Sequence, residues 1–360
     1  MKKTAFYDNH IAMQAKMVEF AGFMMPLQYA GIIQEHKRVR STVGVFDVSH
    51  MGEFEVRGTG AAGFVQRMTT NDVNKLAEGR VQYSTMLYDH GGIVDDLLVY
   101  HLGESFMLVV NAANIEKDFA WLKEHVSPDV ELIDKSDETS LLAVQGPRSK
   151  DTLKKLTDAP LDDLAYYHWV YAKIAGVEVL ISRTGYTGEL GYEIYMLADP
   201  VSNGKLLDAI MEAGKEFDIE PAGLGARDTL RLEMGYCLYG NDIDETTNPL
   251  EAGLGWITKL KKGEFTGREA LLKVKEEGVR RRLVGMVVDG KAFPRHGYEI
   301  TVEGKPVGKV TSGTFSPILE KGIALGYVPV DFAAEGTALG IVVRGKTVSA
   351  RVVKLPFLQK

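Results

Sequence analysis

The segment HGGIVDDLLVY, residues 90–100, places two adjacent carboxylates inside an otherwise apolar run. Gly91 and Gly92 indicate a tight turn, because glycine adopts positive φ without steric cost, and the β-branched and large apolar residues that follow predict a strand. Strand side chains alternate, so Asp95 and Asp96 point to opposite, mostly apolar faces. Such a carboxylate must be hydrogen-bonded or paired. Two interpretations stay open: a structural Asp bonded to main-chain N–H groups, or a carboxylate positioned to act on a bound ligand.

Around this strand, helical and strand patterns mix without regular βαβ alternation, which favours the α+β class with antiparallel sheets. Further strands are predicted at 53–57, 83–88, 106–111 and 140–145. Helical spacing of apolar residues predicts helices at 11–25 (ending before Pro26), 32–41, 60–68, 114–124, 147–156 and 205–217.

The last 80 residues have a different character. After a predicted helix at 268–277, short strand patterns recur at 283–288, 298–302, 307–313, 323–328, 341–343 and 349–353. Strands at this spacing predict a small closed β-barrel or a sandwich. The charge-rich stretch 275–282 places its boundary near residue 277.

Bulk properties narrow the function classes. A chain of 360 residues predicts two or three domains. The formal net charge of -7 argues against a nucleic-acid partner, which requires a basic surface. No apolar run reaches 18 residues, so no membrane span is predicted. The N-terminus turns polar before a signal-type core forms, and its initiator Met favours a bacterial-type, cytoplasmic chain.

The sequence predicts neither a disulfide nor a metal site. Cys237 is the only cysteine and is expected to be a packing residue. None of the eight histidines has the HExxH or HxH spacing of a zinc site.

Two further segments carry candidate binding residues. In SRTGYTGELGYEI, residues 182–194, three glycines predict a turning loop whose backbone approaches a ligand closely. Tyr186 offers a stacking surface there, and Glu193 can accept hydrogen bonds from a planar N–H edge. The alternative is a Gly-rich hairpin with an exposed Glu. In the predicted helix 225–235, Asp228 can pair with Arg231. That leaves Arg227 for a ligand carboxylate or phosphate, with a solvated surface arginine as the alternative.

Taken together, these segments resemble the aminomethyltransferase (T-protein) family of the glycine cleavage system. The resemblance spans essentially the whole chain, through FDVSHMGE (46–53), TND (70–72), GGIVDDLLVY (91–100), VVNAANIEKD (109–118), QGP (145–147), SRTGYTGELGYE (182–193), PAGLGARDTLRLEMGYCLYGND (221–242), TNPLEAGLGW (247–256) and TSGTFSP (311–317).

The resemblance implies an α+β fold built as a three-domain cloverleaf around a folate channel. The implied domains are a discontinuous folate-binding domain (1–52 and 140–245), a second α+β domain (53–139, with 246–276 as an optional addition) and a C-terminal barrel (277–360).

The implied reaction uses tetrahydrofolate as co-substrate and no metal. The enzyme takes the aminomethyl group from the lipoyl arm of its partner, the H-protein, releases ammonia and forms 5,10-methylenetetrahydrofolate. By the same resemblance Asp96 is the catalytic carboxylate. The implied folate-binding residues are Glu193 at the pterin edge, Arg227 at the glutamate tail, Tyr83, Tyr186 and Tyr236 at the ring faces, and Asn111 and Met51.

Two alternatives share the architecture. One is a folate-dependent demethylase with another methyl donor. It is disfavoured because the match runs end to end without a fused flavin domain. The other is a non-enzymatic folate-binding iron–sulfur assembly factor, whose branch carries a KGCYxGQE-type motif. The corresponding segment here, GEFTGREALLK (263–273), contains no cysteine.

Overall fold

A computed structural model describes residues 1–290 and 292–359 of the chain. Its helices are α1 (Tyr7–Ala12), α2 (Ile32–Ser41), α3 (Ala61–Met68), α4 (Ile115–His125), α5 (Ser149–Leu153), α6 (Pro200–Gly214), α7 (Leu224–Glu233) and α8 (Arg268–Glu277). Its strands are β1 (Lys2–Lys3), β2 (Lys16–Phe20), β3 (Phe23–Gln28), β4 (Gly44–Asp47), β5 (Gly52–Arg57), β6 (Val81–Leu87), β7 (Ile93–His101), β8 (Phe106–Val110), β9 (Glu131–Asp134), β10 (Thr139–Gln145), β11 (Trp169–Ile174), β12 (Val177–Ser182), β13 (Gly191–Leu197), β14 (Glu220–Pro221), β15 (Arg281–Val288), β16 (Glu299–Val302), β17 (Lys305–Ser316), β18 (Lys321–Pro329), β19 (Ala338–Val343) and β20 (Lys346–Val353).

The chain divides into two compact units. Unit 1 comprises Met1–Val65, Val73–Tyr83 and Leu97–Arg227, and unit 2 comprises Gln66–Asp72, Ser84–Asp96 and Asp228–Lys360. Limits of the units fall inside helices α3 and α7 and inside strands β6 and β7. The three-domain division stays a prediction.

A six-stranded sheet organises the core of unit 1, in the order β11-β12-β13-β10-β4-β14. Its neighbours are antiparallel except for β14, which runs parallel to β4. Helix α6 buries Leu206, Leu207 and Ile210 in the same cluster as the strand residues. The helix begins where the Asp199 side chain accepts a hydrogen bond from the main-chain N–H of Ser202 at 2.9 Å, which is a favourable N-cap.

A five-stranded sheet, in the order β6-β7-β8-β5-β9, contains the segment from which the sequence argument began. Gly91 adopts φ +88 in the turn before β7, and Tyr88 donates its main-chain N–H to the carbonyl of Gly92 at 2.9 Å. The predicted tight turn and buried strand are therefore confirmed.

The predicted helix at residues 11–25 is wrong. Helix α1 ends at Ala12, and β2 and β3 form an antiparallel hairpin whose turn holds Ala21 and Gly22 at positive φ. Apolar spacing over a short run does not separate a helix from a half-buried hairpin. The main-chain pairing of β2 with β3, and of β3 with β1, decides the outcome.

The C-terminal strands of unit 2 form a closed barrel in the order β15-β18-β17-β16-β19-β20. Closure settles the choice between barrel and sandwich. The interior holds Met286, Ile300, Val310 and Ile341, all at most 1% exposed. Mixed sheet-and-helix structure followed by this barrel confirms the predicted fold class.

No helix in the described part of the chain is long and apolar enough to cross a membrane.

Candidate functional site

The two adjacent aspartates of β7 occupy different environments. Asp95 is completely buried, whereas Asp96 is partly exposed. Alternation gives Asp96 the same face of the strand as Leu98 and Tyr100. A ligand can therefore reach the carboxyl of Asp96 but not that of Asp95, a distinction that the sequence left open. Within unit 2, burial and the negative charges of Asp242 and Asp96 raise the pKa of the Cys237 thiol well above its ordinary value.

Glu193 combines one satisfied and one open carboxylate oxygen. The Thr184 hydroxyl donates a short hydrogen bond to Oε2, while Oε1 accepts no hydrogen bond from the described residues. Burial raises the pKa of Glu193, against the opposing effects of the Thr184 hydrogen bond and the positive charge of Arg227. Because the side chain is partly exposed, Oε1 is an acceptor that a ligand N–H group can reach.

The glycines of the 182–194 loop serve chiefly to accommodate Gln145. A Cβ atom on Gly185 would lie 2.1 Å from the Gln145 side chain, and one on Gly191 would lie 2.3 Å from it. Gln145 in turn donates to the Thr184 carbonyl at 3.2 Å and accepts from the Thr187 hydroxyl at 2.8 Å. At these two glycines the predicted close approach is therefore to the buried side-chain amide of Gln145 and not to a ligand. The hydrogen bonds of Gln145 fix the conformation of the loop, and the loop in turn places the Thr184 hydroxyl beside Glu193.

Arg227 makes a cation–π contact with Tyr186. Its guanidinium is 4.6 Å from the centroid of the Tyr186 ring, and both side chains are partly exposed. This cation–π contact orients the guanidinium. Burial, together with the charge of Arg227, lowers the pKa of His50 to about 3, so His50 is neutral.

A buried network of hydroxyl groups, which sequence reasoning missed, connects to Glu193 through the Thr184 hydroxyl. The Tyr100 hydroxyl lies 3.1 Å from the Ser182 hydroxyl and 3.0 Å from that of Tyr195. It also lies 3.4 Å from the Thr184 hydroxyl. The only sequence signal was that Tyr100 shares a strand face with Asp96, which does not identify its partners.

The predicted Asp228–Arg231 pair is confirmed, at 2.8 Å. Arg231 is only 2% exposed and also pairs with the fully buried Asp242 at 2.8 Å. It further donates to the Ser312 hydroxyl of β17 at 2.8 Å. Arg231 is therefore structural and links α7 to the barrel within unit 2.

All eight predicted site residues are partly exposed, as ligand contact requires. Six lie in unit 1 and two in unit 2: Met51, Tyr83, Asn111, Tyr186, Glu193 and Arg227, then Asp96 and Tyr236. The interactions described above bring Tyr186, Arg227 and Glu193 together. Residues 1–290 and 292–359 contain no cluster of three His, Cys, Asp or Glu side chains that could hold a metal ion.

Comparison with known protein families matches residues 6–262 to the GCVT N-terminal domain and residues 281–359 to the glycine cleavage T-protein C-terminal barrel domain. The second match coincides with the closed barrel.

Similar proteins agree along the whole chain. An aminomethyltransferase of Halothermothrix orenii is 53% identical over 359 residues, covering 99% of this chain and 100% of that protein. One of Chloroherpeton thalassium is 54% identical, covering 100% and 99%. The crystal structure of the glycine cleavage system aminomethyltransferase T from Bartonella henselae superposes with a TM-score of 0.92 at 35% identity, covering 99% of this chain and 98% of that one. The chain therefore belongs to the aminomethyltransferase (T-protein) family of the glycine cleavage system.

Proposed function

We propose that this aminomethyltransferase moves the one-carbon unit of an aminomethyl group, carried on the lipoyl arm of the H-protein, to tetrahydrofolate. The carbon–sulfur and carbon–nitrogen bonds of the aminomethyl group break, and the carbon forms bonds to two folate nitrogens. Those nitrogens release two protons: one converts the amino group into ammonia, the other protonates the sulfur to regenerate the lipoyl thiol, and 5,10-methylenetetrahydrofolate is the product. The observation that carries the proposal is the partly exposed Asp96 on a largely apolar strand.

The donor set of unit 1 fits tetrahydrofolate. That molecule offers a planar ring edge with N–H donors, flat faces and a tail with carboxylates. Oε1 of Glu193 is an open acceptor for the ring edge. The Tyr186 ring offers a face for stacking, and the Arg227 guanidinium above it can bind a tail carboxylate in bidentate fashion. Tyr83 and Tyr236 are further proposed stacking partners.

Asp96 supplies electrostatic catalysis in this proposal. A carboxylate beside the reacting carbon stabilises the positive charge that develops as the carbon–nitrogen bond breaks, and it orients the attacking amine. Its location among apolar neighbours strengthens this interaction relative to water. Asn111 and Met51 complete the proposed lining as a polar and an apolar contact. The cytoplasmic location stays a prediction.

The test is a turnover assay with aminomethyl-loaded H-protein and tetrahydrofolate, in which ammonia and methylenetetrahydrofolate are both quantified. Removing an electrostatic stabiliser costs about 10²–10³ in kcat, so we expect Asp96→Asn to lose that much turnover. Its folate affinity and melting temperature should stay close to those of the native chain. Asp95→Asn is the matched control, because Asp95 lies next in sequence on the opposite, buried face.

Three outcomes would redirect the proposal. Native turnover in Asp96→Asn would remove Asp96 from the catalytic role. Loss of turnover only in Asp95→Asn would move that role to the buried neighbour. Tight folate binding by the native chain without product would point to a demethylase with another donor, or to a folate-binding assembly factor.

A further inference from the structure

Glu53 is a buried carboxyl that the proposed mechanism does not use. Its side chain, on β5, is 1% exposed. Its Oε2 atom is buried without a hydrogen-bond partner, and no lysine or arginine in the described part of the chain forms an ion pair with it. Its main-chain N–H donates a hydrogen bond to the Ser136 hydroxyl at 3.1 Å, but that bond does not involve the carboxyl. An ionised carboxylate in such a place would be costly.

Strand register places Glu53 on the face of the five-stranded sheet that contains the hydroxyl network. Glu53 pairs with Val109 of β8, and Val109 pairs with Leu98 of β7. Directly paired residues share a face, so Glu53 lies on the face of Leu98 and Tyr100. From that face Tyr100 reaches Tyr195, a residue whose hydroxyl also experiences the charge of Glu53. Glu53 and Glu193 therefore approach the same polar interior of unit 1 from its two sheets.

The two glutamates have opposite surroundings. Glu193 has the Thr184 hydroxyl as donor, the positive charge of Arg227 nearby and partial access to solvent. Glu53 is 1% exposed, and none of the residues that the structure describes gives its carboxyl a hydroxyl donor or a nearby positive charge. The charged groups that act on it are Glu193, from β13, and Asp134, from β9, both acidic.

The other titratable groups near Glu53 offer no compensating positive charge. Tyr195 faces it from β13. On its own strand Glu55 is paired with Arg57, whose guanidinium donates to Glu55 at 2.6 and 2.7 Å. Two neighbouring carboxyls in a protein interior do not both ionise readily, and the proton goes to the more buried carboxyl with fewer donors and cations. Burial, reinforced by Asp134 and Glu193, accordingly raises the pKa of Glu53 well above its ordinary value.

We propose that Glu53 is a positioning residue held as a neutral carboxylic acid, so that Glu193 alone carries the negative charge that receives the N–H edge of the bound ring. A second negative charge behind Glu193 would raise the proton affinity of Glu193 and convert an acceptor into a donor. The selected ligand is thus a heterocycle that presents adjacent N–H donors. This inference rests on the proposed function, through the role of Glu193.

The neutral state of Glu53 has a consequence for stability that requires no ligand. A carboxyl whose pKa is raised by folding binds its proton more tightly in the folded state, so its protonation stabilises the folded protein at low pH. That contribution is lost as pH rises from the ordinary glutamate pKa through the folded one. Replacing Glu53 with glutamine, which is neutral and similar in shape, removes this dependence.

The experiment uses the full chain with Glu53→Gln, and with Glu55→Gln as matched control on the same strand and face. We expect Glu53→Gln to bind tetrahydrofolate within about twofold of the native affinity at pH 7, because the change preserves a neutral group. Its free energy of unfolding should fall less than that of the native chain as pH rises above the ordinary glutamate pKa. The infrared band of a buried protonated carboxyl should disappear in Glu53→Gln and remain in Glu55→Gln.

A tenfold or greater loss of tetrahydrofolate affinity in Glu53→Gln at pH 7 would overturn the inference, as would persistence of the carboxylic acid band. Glu193→Gln separates this inference from the proposed function. Native folate affinity in that variant refutes the role of Glu193, whereas the acid band and the pH slope report on Glu53 without ligand. If Glu53→Gln does not fold, Glu193→Gln still tests the pair. Removing the Glu193 charge should move the pH slope of unfolding to lower pH, and an unmoved slope would contradict the coupling.

Discussion

Substituting Arg231 with methionine removes a guanidinium from the interior of unit 2 while it retains most of the aliphatic stem. Arg231 is 2% exposed and Asp242 is fully buried, with 2.8 Å between Nη1 and Oδ2. The guanidinium also donates to the Tyr236 carbonyl at 3.0 Å and to the Ser312 hydroxyl at 2.8 Å. The substitution therefore leaves a buried carboxylate without its cation.

The expected cost follows from the burial of the two partners. Breaking a buried ion pair by removing one member costs about 3–5 kcal/mol. Asp242 keeps donors after the change, namely the Leu238 N–H at 3.0 Å and the hydroxyls of Ser312 and Thr311. The cost should then lie near the lower limit, about 3 kcal/mol. Asp228, half exposed, adds at most about 1 kcal/mol, as surface pairs do.

Urea unfolding followed by circular dichroism measures this free energy, and calorimetry checks whether the transition is two-state. The double variant Arg231→Met, Asp242→Asn should regain part of the loss, because it no longer buries an unpaired charge. Asp228→Asn is the control for the exposed member of the network. A loss below about 1 kcal/mol in Arg231→Met, or a double variant as unstable as the sum of the two single variants, would refute the reasoning.

Three further outcomes are expected. Burial alone would raise the pKa of Asp47, but hydrogen bonds from His10 and neighbouring donors lower it. The stabilising contribution of Asp47 is therefore present above the ordinary Asp pKa and is lost as pH falls through the folded pKa. Asp47→Asn should accordingly make the free energy of unfolding depend less on pH below the ordinary Asp pKa, as acid titration of stability would measure. Gly223→Ala should destabilise by about 1–3 kcal/mol, because a Cβ would stand 2.4 Å from main-chain atoms of β3. Gly63→Ala, which meets nothing within 4 Å, is its control and should not destabilise in thermal melts. Arg227→Ala should weaken binding of polyglutamylated folate about tenfold, the equivalent of one charge-assisted contact, in an equilibrium titration; native affinity would exclude Arg227 from the tail site.

Local pattern predicted the fold where one element has one strong period. Helix α2 begins and ends where expected, at Ile32 and Ser41, and α8 likewise spans Arg268–Glu277. Pattern failed at residues 11–25, where the apolar spacing fits two structures and the pairing partner lies elsewhere in the chain. It also left barrel and sandwich open, because closure depends on which strands pair at the sheet edges, such as β15 with β20.

Side-chain alternation predicted that Asp95 and Asp96 differ but not which of them is accessible. That depends on the elements packed against each face, which no local window contains. The same limit applies to Glu53, because the sequence shows only an acidic residue in a strand of alternating polar and apolar residues. It also applies to Gly185, whose spatial neighbour Gln145 lies 40 positions away in the sequence. Residue type and spacing select candidate groups, whereas partners from distant segments decide their charge and access.

The acidic residues of this chain illustrate how environment assigns roles to one functional group. Asp242 forms a buried ion pair with Arg231. Glu193 has a hydroxyl donor, a nearby cation and an open oxygen, so it is suited to accept from a ligand. The described residues offer the Glu53 carboxyl neither a hydrogen-bond donor nor a cation, and the neutral acid is then its lowest-energy form. If Glu53 were ionised as well, its negative charge would act against that of Glu193, whose opposing influences are the Thr184 hydrogen bond and the charge of Arg227. The protonation state of Glu53, a side chain that is 1% exposed, would thereby control the charge presented to the bound ring.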